Sequence, residues 1–295
     1  MQSADFLSAV FFYLKEGENL NQNWIVENLN NAFSTWNGKL GELWGLVTTS
    51  PQTFKGGAVW SVMQTLHNGM VGIGYALVVL FFAISLCKNT MNFHELKRPE
   101  AAIHYFLRFV AAKALVGYGM DIMLNVFSIC NGIVTDMADS MGGISEAMVS
   151  LPAEMQTAIE NVGFLASIPL WLVTILGSLF ITVLSFVMIL TVYGRFFRLY
   201  MYTALAPLPL AAFAGESTQS VGISFLKSYV GVCLEGAVIV LACVIYSAFV
   251  STPTVTSGEA TTIVWSFLAE TVFNMLVLVG LIKGSDRIIH EMMGL

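Results

Sequence analysis

The 295-residue chain is 56% hydrophobic and 11% charged, with a mean hydropathy of +0.75. Soluble domains carry about 25% charged residues, so this composition argues for a membrane protein. A formal charge of −6 and the absence of any Lys or Arg run argue against a basic nucleic-acid-binding face.

Residues 1–56 are the least apolar part and are expected to form an extracytoplasmic or interfacial amphipathic region ahead of a transmembrane domain at 57–295. Phe6 to Leu14 is too short to span and reads as an apolar anchor. SADFLSAVFFYL lacks a basic leader and a cleavage site, so no cleavable signal peptide is expected. Leu20, Trp24, Leu29, Phe33, Trp36, Leu40, Leu43, Trp44 and Val47 recur at helical spacing, with Gly38 and Gly41 as the candidate break. Such a stripe either lies at the headgroup level or packs on the protein's own helices.

Five apolar stretches follow, at about 61–87, 101–134, 164–193, 221–250 and 261–282, each long enough to cross a bilayer core. The second is long for one crossing, so tilt or an extramembrane extension is expected. The fold class is therefore an all-α polytopic membrane helical bundle. Basic residues mark cytoplasmic loops. Lys88, Lys97 and Arg98 follow the first span, Arg195 and Arg198 the third, and Lys283 and Arg287 the fifth. Gly132–Val162 and STPTVTSGEATT carry no Lys or Arg and should face outward. The N-terminus is then outside and the C-terminus cytoplasmic.

Charged groups inside spans are the candidate functional residues, because each costs about 2.5–3.5 kcal/mol at a helix centre. They are Arg108, Lys113 and Asp121 in the second span, Glu235 in the fourth and Glu270 in the fifth. Acids and bases on different helices suggest pairing, such as Lys113 with Glu235 or Glu270. Structural ion pairs, a hydrated pore lining and a proton or ion relay are the three readings open for them.

Other chemistry finds little support. Cys87, Cys130, Cys233 and Cys243 have no CxxC or zinc spacing and read as buried thiols. His67, His94, His104 and His290 are scattered, without a second metal ligand at i+3 or i+4. HExxH, GxGxxG, P-loop and GxSxG motifs are absent, so neither an enzyme nor a bound cofactor is expected, bound phospholipid aside. Gly72-Ile-Gly74 reads as close helix packing and Gly142-Gly143 as a loop turn.

ALAPLPLAAF, residues 204–213, places Pro207 and Pro209 inside an apolar run. Proline removes a helical donor and clashes with the preceding turn, so the helix should break there. Arg198 before it and Lys227 after it both read as cytoplasmic, which predicts a shallow hairpin or a broken interfacial helix over 199–219, covered by neighbouring helices or subunits. Arg195 and Arg198, at i and i+3, would sit at lipid phosphates or meet a cytoplasmic partner.

RFFRLYMYTALAPLPLAAFAGE after a long third span, followed by SFLKSYVGVCLEGAVIVLACVIY, resembles the TrbL/VirB-six family of polytopic inner-membrane subunits of conjugative type IV secretion systems. It looks closest to the versions on mobile elements of Gram-positive bacteria. The local likeness covers residues 163–250, and the topology nearly the whole chain. The resemblance implies a homo-oligomeric ring, of about five subunits, at the base of the secretion stalk. It also implies pilus or stalk subunits outside, secretion ATPases on the cytoplasmic side, and single-stranded DNA with a relaxase as the transported substrate. Many relatives carry a hydrophilic C-terminal extension, which EMMGL does not provide here. A non-enzymatic channel or scaffold subunit is the function so implied. An ion- or proton-coupled small-solute transporter using Glu235, Glu270 and Lys113 is the alternative, and an assembly factor without a conduit the third.

Overall fold

The computed structural model describes residues 2–90, 99–140, 148–162, 164–249 and 260–294, and every regular element among them is helical. Lys97, Arg98, His94, Gly142, Gly143, Glu146 and most of STPTVTSGEATT lie outside the described residues, as do the side chains of Phe6–Leu14 and Leu20.

The first helix, α1, runs Gln2–Thr48 without interruption. Ile25, Leu29, Phe33, Trp36, Leu40, Leu43 and Val47 are buried on one stripe, so this part of α1 packs on protein. Of the stripe's described side chains Trp24 is exposed, at 41%, and Trp44 is half-buried. The expected break at Gly38 and Gly41 does not occur. Neither glycine has an atom within 4 Å of where a Cβ would stand, so nothing drives a bend, and the packed stripe outweighs their low helix propensity.

A 3-10 turn at Phe54–Gly57 leads into α2 (Ala58–Thr90), followed by α3 (Pro99–Gly117) and α4 (Gly119–Ser140). Then come a short α5 (Ala153–Glu160), α6 (Phe164–Leu205), α7 (Pro207–Ala211) with a 3-10 turn to Ala214, α8 (Gln219–Phe249) and α9 (Ala260–Met293). Among the described residues four helices are long and apolar enough to cross a membrane: Phe54–Lys88, Ile168–Leu205, Gln219–Ala248 and Thr262–Met293. The expected second span is α3 and α4 together, and it is bent by 73° instead of running straight. Counting that pair as one crossing gives five. Glycines flank the bend and admit close neighbours there: a Cβ at Gly117 would lie 2.8 Å from the Tyr75 hydroxyl, and one at Gly119 3.2 Å from Leu210.

The chain divides into two compact units. The first comprises residues 1–44, 141–191 and 241–283. In it α1 rests on α6 and α9 through Trp24–Trp171 (5.8 Å) and Phe33–Phe267 (6.3 Å, edge to face). The Asn28 Nδ2 donates to Ser178 (3.0 Å), while Asn37 both donates to the Val149 carbonyl and accepts from its N–H.

The second unit comprises residues 45–140, 192–240 and 284–295. The end of α6 and the start of α8 lie antiparallel, with Tyr202 against Phe225 (5.5 Å) and Tyr229 (6.2 Å). Helix α6 does stop at Leu205, as the prolines require, and Pro207 opens α7. The chain reverses further on, at Gly215–Thr218, where the Thr218 hydroxyl donates to the Ala212 carbonyl at 2.7 Å.

This hairpin is not shallow. Tyr200 meets Trp60 (6.4 Å), Pro207 meets Gly74, the Glu216 N–H donates to Ser85, and Lys88 reaches Ser217 at 3.4 Å. The hairpin therefore follows α2 from Trp60 to Lys88, about 40 Å at 1.5 Å per residue, which exceeds a bilayer core of about 30 Å. Lys88 and Arg198 consequently lie at opposite ends of α2, whereas the charge pattern had placed them on one face.

Candidate functional site

The polar centre of the second unit forms at the end of α1, where a long helix leaves unpaired carbonyls. Arg195, only 1% exposed, extends from α6 into this gap. Its Nη1 donates to the Val47 carbonyl (3.2 Å), its Nε to Val232 (3.3 Å) and its Nη2 to Cys233 (3.1 Å). One guanidinium thus caps α1 and holds two carbonyls of α8, a task suited to its planar fork of donors. Two more side chains secure the segment beyond: Asn131 of α4 donates to the Thr48 carbonyl (3.2 Å) and Tyr200 to that of Pro51 (2.8 Å).

One helical turn on, Arg198 binds Glu235. Its Nη2 lies 2.7 Å from both carboxylate oxygens, and the Ser285 hydroxyl of α9 donates to Oε1 at 3.1 Å. The other guanidinium nitrogen pairs with Asp286, whose carboxylate also lies 3.5 Å from His290. Glu235 is 1% exposed. Arg198 alone meets both carboxylates while Arg195 is held by carbonyls, and the four groups together sum to no net charge, which suits burial in a spanning bundle. Gly236 completes it: a Cβ there would stand 2.8 Å from the Arg195 guanidinium.

The Pro-broken hairpin has a matching detail. In a continuous helix the N–H of residue 207 would bind the Thr203 carbonyl, and proline has none. The buried His67 of α2 donates its Nδ1–H to that carbonyl at 2.7 Å. What the sequence left as an unassigned histidine satisfies the acceptor that Pro207 frees. Gly72-Ile-Gly74 behaves as read from the sequence at Gly74, which faces Val116 and Pro207 where a Cβ would lie 2.9 and 3.0 Å away.

The remaining expected residues are dispersed. Arg108 donates to Gln219 (3.2 Å) and lies 4.0 Å from Glu216, at the hairpin's reversal. Lys113 and Glu270 are exposed, and Glu235 takes Arg198 as its partner in place of Lys113. Asp121 is exposed on α4 and lines a polar cleft. Arg195 is buried among carbonyls instead of facing lipid phosphates, and Arg198 is engaged by two carboxylates. Sequence reading missed Asp286, Ser285 and Asn131. Asp286 sits in GSDR just past the last apolar run and so falls outside the intramembrane charges that the sequence singles out.

Residues 36–207, more than half of the chain, match the family model described as TrbL/VirB6 plasmid conjugal transfer like protein. The chain belongs to the TrbL/VirB6-like conjugal transfer family. It is accordingly a membrane protein of conjugal transfer, a member of a system with other subunits. The matched region contains the end of α1, the bent α3–α4 pair, both arginines of the knot and Pro207. No curated protein and no solved structure matches the chain.

Proposed function

We propose that this TrbL/VirB6-like protein is a channel or scaffold subunit in the cytoplasmic membrane of a conjugative type IV secretion system, supporting transfer of single-stranded DNA with its relaxase. The family match over residues 36–207 carries this reading. In it the protein assembles as a homo-oligomeric ring, with pilus or stalk subunits outside and a secretion ATPase inside. DNA is a transported substrate and not a stably bound ligand. The arginine knot fits a scaffold, since it draws α1, α6, α8 and α9 to one point without leaving a charge free to move.

The N-terminus is proposed to lie outside and the C-terminus in the cytoplasm, on the level that Arg198, Asp286 and Arg287 share. Bound phospholipid is proposed for the apolar groove of about 500 Å³ formed by Met201, Tyr202, Leu205, Leu208, Pro209 and Phe225. The transporter alternative is not carried further, because Glu235 is neutralised by Arg198, and Lys113 and Glu270 are exposed.

Deleting the gene should abolish conjugal DNA transfer in a mating assay and leave relaxase nicking at the origin intact. Normal transfer in the deletion strain would refute the proposal. Solute uptake by the purified protein in liposomes, blocked by Glu235→Gln, would revive the transporter.

A further inference from the structure

The contact between α4 and α8 in the second unit carries an unmatched charge on each of its outer sides. The Tyr229 hydroxyl donates to the Met123 carbonyl at 2.8 Å, and Phe127 and Cys130 of α4 share one buried core with Val232 and Cys233 of α8. Positions two apart on a helix point about 200° apart, so the residue two before a seam position faces away from the seam. On α4 that residue is Asp121, and on α8 it is Lys227. Both are exposed, and neither forms an ion pair among the described residues.

Each charge belongs to a polar stripe on its own flank. Asp121, Asn125 and Ser128 are exposed at i, i+4 and i+7 of α4, and Ser220, Ser224 and Lys227 at the same spacing of α8. Lys227 lies about 12 Å along α8 from both Gln219 and Glu235, well inside an apolar span. An ionised group there needs water or a countercharge, and lipid tails supply neither. The depths of the two charges match as well. Asp121 stands about 3 Å along α4 from Met123 and Lys227 about 3 Å along α8 from Tyr229. Helical aromatics lean toward the N-terminus, here toward Lys227, so the bond from Tyr229 to Met123 sets both charges within a lysine's reach of one level.

A chain with a lysine on one flank and a carboxylate on the opposite flank, at one depth, is complementary to its own copy. Rotation about the membrane normal keeps every residue at its depth and brings unlike flanks together, which is the head-to-tail contact that closes a ring. We propose that Lys227 of one copy binds Asp121 of the next, with the serines of α8 laid against Asn125 and Ser128. The inference rests on the homo-oligomer proposed above and names the surface that builds it. A two-fold contact through either stripe alone would set like charges against each other.

Cross-linking in membranes tests the pair. In a full chain with the exposed Cys87 changed, Cys87→Ser, copies carrying Asp121→Cys and copies carrying Lys227→Cys bear different tags, are co-expressed and are treated with a short bismaleimide. Adducts joining the two tags are expected, with none between two Asp121→Cys copies or two Lys227→Cys copies. Charge exchange gives a second readout on native gels. Asp121→Lys or Lys227→Asp alone should lower the oligomer fraction about tenfold, and the two together in one chain should restore it. Adducts confined to one tag would make the contact two-fold and overturn the pairing. No mixed adduct in a chain that still runs as an oligomer overturns it too, and leaves the ring standing. A monomeric wild-type chain in the same membranes refutes the homo-oligomer itself, and this interface with it. Rescue of Lys227→Asp by anionic lipid, and not by Asp121→Lys, makes the lysine a phosphate anchor and sinks the pairing.

Discussion

Pro207, His67 and Thr203 illustrate how one residue's missing donor is met by another's side chain across helices. Removing the imidazole in His67→Leu should orphan the Thr203 carbonyl and cost about 1–3 kcal/mol. The same substitution beside Pro207→Ala, which restores a backbone N–H, should cost much less. A double-mutant cycle on detergent unfolding midpoints measures the difference, and strict additivity would show the two to be unlinked. Gly236 supports a second residue-scale prediction. Gly236→Ala places a methyl group against the Arg195 guanidinium, which has three carbonyl partners and cannot retreat without losing some of them. Breaking such a buried charged site costs about 3–5 kcal/mol. The yield of folded protein in membranes and conjugal transfer should fall together, as they should in Arg195→Ala. Arg195 and Arg198 were visible in the sequence as one helical face. Their setting was not, since the Val47, Val232 and Cys233 carbonyls leave no trace in side-chain identity.

Element boundaries were legible where backbone chemistry forces them and illegible where packing decides. The stop of α6 before Pro207 follows from proline geometry, and the stripe from Leu29 to Val47 from its spacing. The 73° bend at Tyr118 looked like part of one apolar run, because Gly117 and Gly119 act only through Tyr75, His67 and Leu210 arriving from other elements. Helix α7 packs chiefly on α2 and α3, and Gly74 is its seat. Gly74→Ala should push against the Val116 side chain and the Pro207 backbone, costing about 1–3 kcal/mol as an overpacking change. Gly72, two residues earlier, has nothing within 4 Å and supplies the control. Gly72→Ala should leave the unfolding midpoint unchanged or slightly higher, since alanine is the better helix former. Equal effects of the two substitutions would mean that α7 does not rest on α2.

The whole molecule was legible as a membrane bundle because composition and run length are enough to establish that, and the five-crossing count agrees when α3 and α4 are taken as one bent span. Placing the basic residues on one face rests on the charge rule, which assumes that each apolar run crosses once and each reversal is short. The hairpin breaks that assumption. It carries the chain from Arg198 along α2 to a turn beside Lys88, and α8 then returns to Glu235 at the knot. If α2 crosses, as its apolar length allows, Lys88 and Arg287 lie on opposite sides of the membrane, with Arg287 next to the Asp286 that holds Arg198. In a chain with Cys87→Ser as background, Lys88→Cys and Arg287→Cys should therefore react with a membrane-impermeant maleimide from opposite faces. Intact cells should label only one of the two, and inverted vesicles only the other. Labelling of both from the same face would mean that α2 and the hairpin together fold back within one leaflet. The restored charge parity would then return Lys88, Arg195 and Arg198 to a common cytoplasmic surface.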